Sequence, residues 1–135
     1  MKPILMSLST ATVIAMAGGA LACGVCIEDK VAATYDDAVV TQAMAKHRQV
    51  VFVAIDGPRA FDARTRVADA ARNVRGVEAK TLRLSDSPAA FSFVVERSQA
   101  PVHAVDAFRH ALRDADVRLT LVRVMREGKL IDPDE

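Results

Sequence analysis

Two short apolar runs divide the chain and predict buried strands. Residues 51–54 read Val-Phe-Val-Ala and residues 92–95 read Ser-Phe-Val-Val, so the second run repeats the first at an offset of 41. Both runs are rich in β-branched and aromatic residues, which favour buried strands. A pattern used twice at a fixed spacing indicates an internal repeat.

After each run the apolar residues change to helical spacing. Seven positions form an apolar stripe in the second predicted helix, and six of the seven matching positions in the first are also apolar. The corresponding face of each helix is therefore expected to be buried. These positions are Ala60, Ala63, Arg64, Val67, Ala70, Ala71 and Val74 in the first helix, and Pro101, Ala104, Val105, Phe108, Ala111, Leu112 and Ala115 in the second.

A second strand is predicted after each helix. Residues 77–84 match residues 117–124 at an offset of 40, and both segments alternate between apolar and polar side chains. In each segment the parity of the apolar positions shifts near the middle. Such a shift predicts a β-bulge or burial of both strand faces.

The order of these elements predicts an α+β fold. Two β-α-β units joined by a turn at residues 85–88 correspond to the ferredoxin-like βαββαβ arrangement. The right-handed crossover rule places both helices on one face of a four-stranded antiparallel sheet, over residues 49–127. Residues 128–135 are predicted to form a polar C-terminal tail.

The other face of this sheet is also apolar, and such a face is either an interaction surface or a liability. Residues 27–47 have an apolar stripe at helical spacing, so we expect a helix there that packs on this face, in the same chain or in a dimer mate. The sheet residues concerned are Phe52, Ala54, Val94, Leu82 or Leu84, and Val122 or Val124; the helix residues are Ile27, Val31, Tyr35, Ala38, Val39 and Gln42.

The N-terminal residues 1–22 read as a secretory signal peptide. Lys2 is followed by an uncharged apolar run over residues 4–17, and Ala20-Leu21-Ala22 supplies a cleavage site. We therefore expect a periplasmic or secreted protein that begins at Cys23. An uncleaved anchor and a lipid attached to Cys23 are the alternatives. No later segment is long and apolar enough to span a membrane.

The charge balance argues against a nucleic-acid partner. Lys2 is the only charged residue of the predicted signal, so the remaining chain has 17 basic and 17 acidic side chains. A nucleic-acid-binding domain normally has a basic excess. The chain also has one Tyr, five Phe and no Trp, which leaves few aromatic platforms for base stacking.

Cys23 and Cys26 form a CxxC motif at the predicted start of the first helix, where the helix dipole favours thiolates. The leading hypothesis is binding of a soft metal ion, copper as Cu(I) or else zinc. After cleavage the Cys23 α-amine would add a third possible donor. The alternative is a non-catalytic binding or assembly module with a structural disulfide. Thiol–disulfide redox chemistry is the third interpretation.

The βαββαβ order together with a CxxC motif resembles the heavy-metal-associated domains of copper chaperones and copper pumps. This resemblance covers residues 49–127 and rests on the order of elements, not on residue identity. It implies copper handling by a CxxC motif in the loop after the first strand. The corresponding loop here, residues 56–60, has no cysteine. Cys23 and Cys26 would therefore form an independent site on an added N-terminal segment.

The histidines offer a weaker candidate site. His103, Asp106 and His110 share one stripe of the second predicted helix, opposite Phe108. This stripe is either a hydrated polar face with i,i+3 and i,i+4 partners or a low-affinity metal site. His47 is expected on the surface. The sequence contains no recognisable pairing of a nucleophile with a base, no paired carboxylates and no phosphate-binding loop.

Overall fold

The computed structural model describes residues 22–135, with side chains from residue 27 onward and without that of Phe61. The predicted signal peptide, residues 1–22, lies outside the described residues except for Ala22. Its assignment stays a prediction.

The described residues form an α+β fold with a five-stranded antiparallel sheet in the order β2-β3-β1-β4-β5. The helices are α1 (Ala22–Thr34), α2 (Asp37–Ala45), α3 (Ala63–Ala71) and α4 (Pro101–Ala111), with a short 3-10 turn at Ala60–Asp62. The strands are β1 (Gln49–Asp56), β2 (Val77–Asp86), β3 (Ala89–Val95), β4 (Arg118–Arg126) and β5 (Lys129–Ile131).

Helices α3 and α4 both cover one face of the sheet, as the repeated stripe predicted. Val51, Val53 and Ile55 of β1 point to this face because alternate residues of a strand share a side. Phe108 of α4 lies on the same side and is fully buried. The larger of the two hydrophobic cores therefore lies between the sheet and these two helices.

The opposite face is covered by α1 and α2 of the same chain. Val50, Phe52 and Ala54 of β1 form a second buried cluster with Val31 of α1 and with α2. The prediction that the N-terminal segment packs here is confirmed, and the cover comes from the same chain. Leu82 and Leu84 pack on the other face instead, and Ala38 and Gln42 are exposed. The sheet consequently lies between two helical layers. The α2 residues in this cluster are Val39, Val40 and Ala43.

The predicted single helix over residues 27–47 is two helices. Asp36 has an extended backbone (φ −128°, ψ 113°) and its carboxylate accepts a hydrogen bond from the Val39 N–H. Aspartate at this position caps a new helix start better than it continues an old helix. The Arg83 guanidinium, 2.8 Å away, and the Val39 N–H lower the pKa of Asp36. This carboxylate therefore fixes the corner between α1 and α2.

Both predicted parity shifts are irregularities in strand pairing. The pairing of β1 with β4 shifts register after Phe52, which pairs with Arg123, whereas Val53 pairs with Leu121. In β2 the register shifts between Glu78 and Arg83. There the Thr81 hydroxyl donates to the Glu78 carbonyl (2.6 Å) and accepts from the Val94 N–H (2.9 Å). The Thr81 side chain thus supplies hydrogen bonds where the backbone ladder between β2 and β3 is interrupted.

The fifth strand was not predicted. Residues 128–135 were expected to be a polar tail, but Lys129–Ile131 pairs with the end of β4. The two connecting residues, Glu127 and Gly128, both have positive φ (50° and 77°). Positive φ at both central positions characterises the two-residue turns that suit tight hairpins. Three residues are too few to show the alternation that identifies a strand in sequence.

Gly57→Ala is expected to destabilise the protein by about 2–4 kcal/mol, because a strained φ and a backbone clash act together. Gly57 has φ +124°, and an added Cβ would lie 2.8 Å from the Asp116 carbonyl oxygen. Gly128→Ala is the matched control: its φ is also positive, but nothing lies within 4 Å. Urea unfolding of the two variants measures the difference. Equal losses would contradict the clash.

Candidate functional site

Cys23 and Cys26 both lie within α1, one helical turn apart. Their side chains lie outside the described part of the structure. The described side chains of α1 begin at Ile27, and their contacts show how the rest of this helix is held against the sheet.

Helix α1 is attached to the sheet through residues 30–34. Val31 is 7% exposed and belongs to the buried cluster beneath α1 and α2. The Ser92 hydroxyl of β3 donates to the Thr34 carbonyl at 2.8 Å. Lys30 Nζ lies 3.3 Å from an Asp56 carboxylate oxygen, at the end of β1. An apolar contact, a buried hydrogen bond and an ion pair thus dock the helix that contains both cysteines.

A further contact ties α1 to β4 and the C-terminal segment. Arg123 Nη2 lies 4.0 Å from a Glu28 carboxylate oxygen, and its Nη1 lies 2.9 Å from Asp132. Glu28 is only two residues after Cys26. The described turn nearest to the cysteines therefore has one long ion pair with β4.

Ser92→Ala is expected to destabilise the protein by about 1–3 kcal/mol, because the Thr34 carbonyl loses a buried donor. The loss should appear in urea unfolding and as faster amide hydrogen exchange within α1. Ser98→Ala, at an exposed loop position, is the control. Unchanged exchange in α1 would contradict the role of Ser92 as its anchor.

The loop at residues 56–60, where the resembled family has its metal ligands, is held by structural contacts. Asp56 is paired with Lys30, and Gly57 packs against the Asp116 backbone. Two open clefts of about 300 and 360 Å³ flank the loop, and both have acidic and basic side chains in their walls. Within residues 27–135, Phe61 aside, no three or more His, Cys, Asp or Glu side chains are grouped to hold a metal ion.

The histidine stripe of α4 is an exposed polar face. His103, Asp106 and His110 are all exposed. Asp106 accepts a hydrogen bond from Arg109 at 2.6 Å, and Arg113 Nη1 lies 3.1 Å from His110 Nε2. Partners at i,i+3 are what the first interpretation predicted, and among the described residues no group of three or more possible metal ligands includes this stripe.

One polar cluster was missed by the sequence reasoning. Gln49, the first residue of β1, is 2% exposed. Its Nε2 donates to the carbonyls of Glu96 (3.3 Å), Arg97 (3.4 Å) and Gln99 (3.2 Å). Its Oε1 accepts from Arg126 Nε (3.0 Å) and Nη2 (2.8 Å). The only sequence signal is a polar residue directly before a strongly apolar strand.

A small cavity of about 20 Å³ opens beside this cluster, at the end of the sheet where β1 begins and β4 ends. His47 at its wall is exposed, as expected, with φ 55° after the end of α2. The residues lining the cavity are Met44, His47, Arg48, Gln49, Arg97, Arg126 and Glu127.

No protein-family profile, curated protein or solved structure matches the chain significantly. Among the described helices, none is both long enough and apolar enough to cross a membrane.

Proposed function

We propose that this chain is an exported protein that binds one soft metal ion, Cu(I), through Cys23 and Cys26. The observation that supports this most is the docking of α1: the helix containing both cysteines is fixed to the sheet by Val31, Ser92 and Lys30. A docked helix can present a CxxC pair at a defined place on the molecule. A frayed terminus could not.

The chemistry of the pair suits a soft monovalent cation. Two thiolates satisfy the preference of Cu(I) for soft ligands. Cys23 and Cys26 are the only cysteines of the chain. After cleavage following Ala22, the α-amine of Cys23 is a third donor within reach of the same ion. Zn(II), which usually takes four ligands, would need further donors or a second chain.

We also propose that residues 49–127 belong to the ferredoxin-like class. Their elements follow in the order β-α-β-β-α-β, and β1 and β3 lie between β2 and β4. Both crossover helices lie on the same face. In this proposal α1, α2 and β5 are additions, and α1 supplies the metal site that the loop after β1 lacks.

The alternative, an assembly module that uses the sheet face, has less support. The apolar face that would recruit a partner is covered by α1 and α2. The large apolar side chains exposed in the described part are scattered singly: Tyr35, Val102 and Leu130. Single exposed apolar residues are normal on protein surfaces and indicate no interface.

The test is a competition for Cu(I) between the purified mature protein and a colorimetric Cu(I) chelator, under reducing and anaerobic conditions. We expect one Cu(I) per chain and loss of thiol reactivity on binding. Mass spectrometry of the exported protein should show an unmodified N-terminus at Cys23. Failure to compete would overturn the proposal. Tight Zn(II) binding without Cu(I) binding would overturn the choice of copper.

A further inference from the structure

The cavity beside Gln49 contains an arginine whose charge is not balanced by a carboxylate. Three arginines line it, and two of them have acidic partners: Arg97 Nη2 lies 3.0 Å from a Glu127 oxygen, and Arg48 is paired with Glu78. Among the described residues, the Arg126 guanidinium hydrogen-bonds only to the neutral amide of Gln49. The cavity wall therefore carries a net positive charge.

The guanidinium of Arg126 is also held in one orientation. Gln49 Oε1 accepts from both Nε and Nη2, along one edge of the guanidinium plane. Gln49 cannot turn away, because its Nε2 donates to backbone carbonyls after β3. A guanidinium has five N–H donors in a fixed fork. The edge formed by Nη1 and Nη2 retains donors that no described residue accepts.

The size of the cavity limits what can occupy it. Its volume of about 20 Å³ exceeds the roughly 10–15 Å³ that one water molecule needs. It therefore has room for a small polar group beside the guanidinium. Since a guanidinium edge matches the two oxygens of a carboxylate, the planar anion fits the free edge better than a spherical one.

We propose that Arg126, oriented by Gln49, forms a binding site for the carboxylate group of a small molecule at this end of the sheet. This site includes no residue of α1 and does not depend on the metal proposal. The rest of the wall contains Arg48, the Arg97–Glu127 ion pair, the polar His47 and the apolar Met44 side chain. A ligand with a short apolar tail behind its carboxylate would suit both.

The test uses the ¹⁵N-labelled mature protein and sodium formate as the probe, with sodium chloride held to constant ionic strength. We expect saturable shifts of the Arg126 Nε–H and the Gln49 side-chain amide, with a dissociation constant on the order of 10 mM. Arg126→Gln keeps a donor for Gln49 Oε1 and should weaken formate binding about tenfold or more, the equivalent of one lost charge-assisted contact. Arg72→Gln, an equal change of charge on an exposed part of the surface, should leave formate binding unchanged.

Two results would overturn the inference. One is the absence of saturable formate shifts at Arg126 and Gln49 in the wild-type protein, which needs no variant to fold. The other is an equal saturable shift at Arg126 and Gln49 when chloride replaces formate in the titration against an inert salt. The site would then bind any small anion and would not prefer a carboxylate.

Discussion

A chain with Cys23→Ser and Cys26→Ser is expected to bind Cu(I) about 1,000-fold or more weakly than the wild type, the equivalent of three tenfold steps in affinity. The chain has no other cysteine, so no thiolate remains to replace the two that are lost. Serine hydroxyls are hard, neutral ligands that Cu(I) does not favour. The competition against a chelator measures the difference directly.

The matched control is His103→Ala with His110→Ala. These side chains are the other soft-metal candidates of the sequence; in the structure both are exposed, and His110 lies beside Arg113. We expect this pair of changes to leave Cu(I) affinity unchanged within about twofold, well under one tenfold step of 1.4 kcal/mol. Loss of binding in the histidine variant with retention in the cysteine variant would assign the metal to α4 instead.

Much of the fold could be predicted because local pattern and tertiary packing agree. The run Val51-Phe52-Val53 is apolar on both faces, and both faces are indeed covered by helices. The apolar stripe around Phe108 is the face that α4 buries. The parity shifts predicted the irregular pairings of β2 and β4, since an extra residue moves every later side chain to the other face.

The missed features of the fold depend on single residues. Asp36 lies within residues 27–47, whose apolar stripe predicted one continuous helix. Its carboxylate instead caps α2 and pairs with Arg83, 47 positions away. Strand β5 depends on two residues with positive φ, Glu127 and Gly128. Neither feature has a period, and periodicity is the main signal that a sequence offers.

The candidate sites divide in the same way. The CxxC motif is local, so its spacing could be recognised in the sequence, while its chemistry stays a prediction. The cavity at the end of the sheet could not be recognised, because Gln49 and Arg126 are 77 positions apart. Only the pairing of β1 with β4 brings them together. A lone Gln before a strand carries no indication of which arginine it will meet.

Phe108→Ala is expected to destabilise the protein by about 3–5 kcal/mol, the usual cost of removing a buried aromatic ring from a core. Phe108 is fully buried, and its ring centroid lies 5.0 Å from those of both Phe91 and Phe93. The change removes this aromatic contact and leaves a cavity between α4 and the sheet. Urea unfolding measures the loss. Val102→Ala in the same helix, at a position 46% exposed, should change stability by no more than about 0.5 kcal/mol.

The same variant also separates the fold from the proposed metal site. Phe108 lies on the α3 and α4 side of the sheet, whereas α1 docks on the other side through Val31 and Ser92. A Phe108→Ala chain that is still folded should therefore bind Cu(I) within about twofold of the wild type, because distant sites act nearly independently. Loss of Cu(I) binding in a folded Phe108→Ala protein would mean that the cysteine helix depends on the core across the sheet. In that case the docking contacts of α1 would not be sufficient to hold the site.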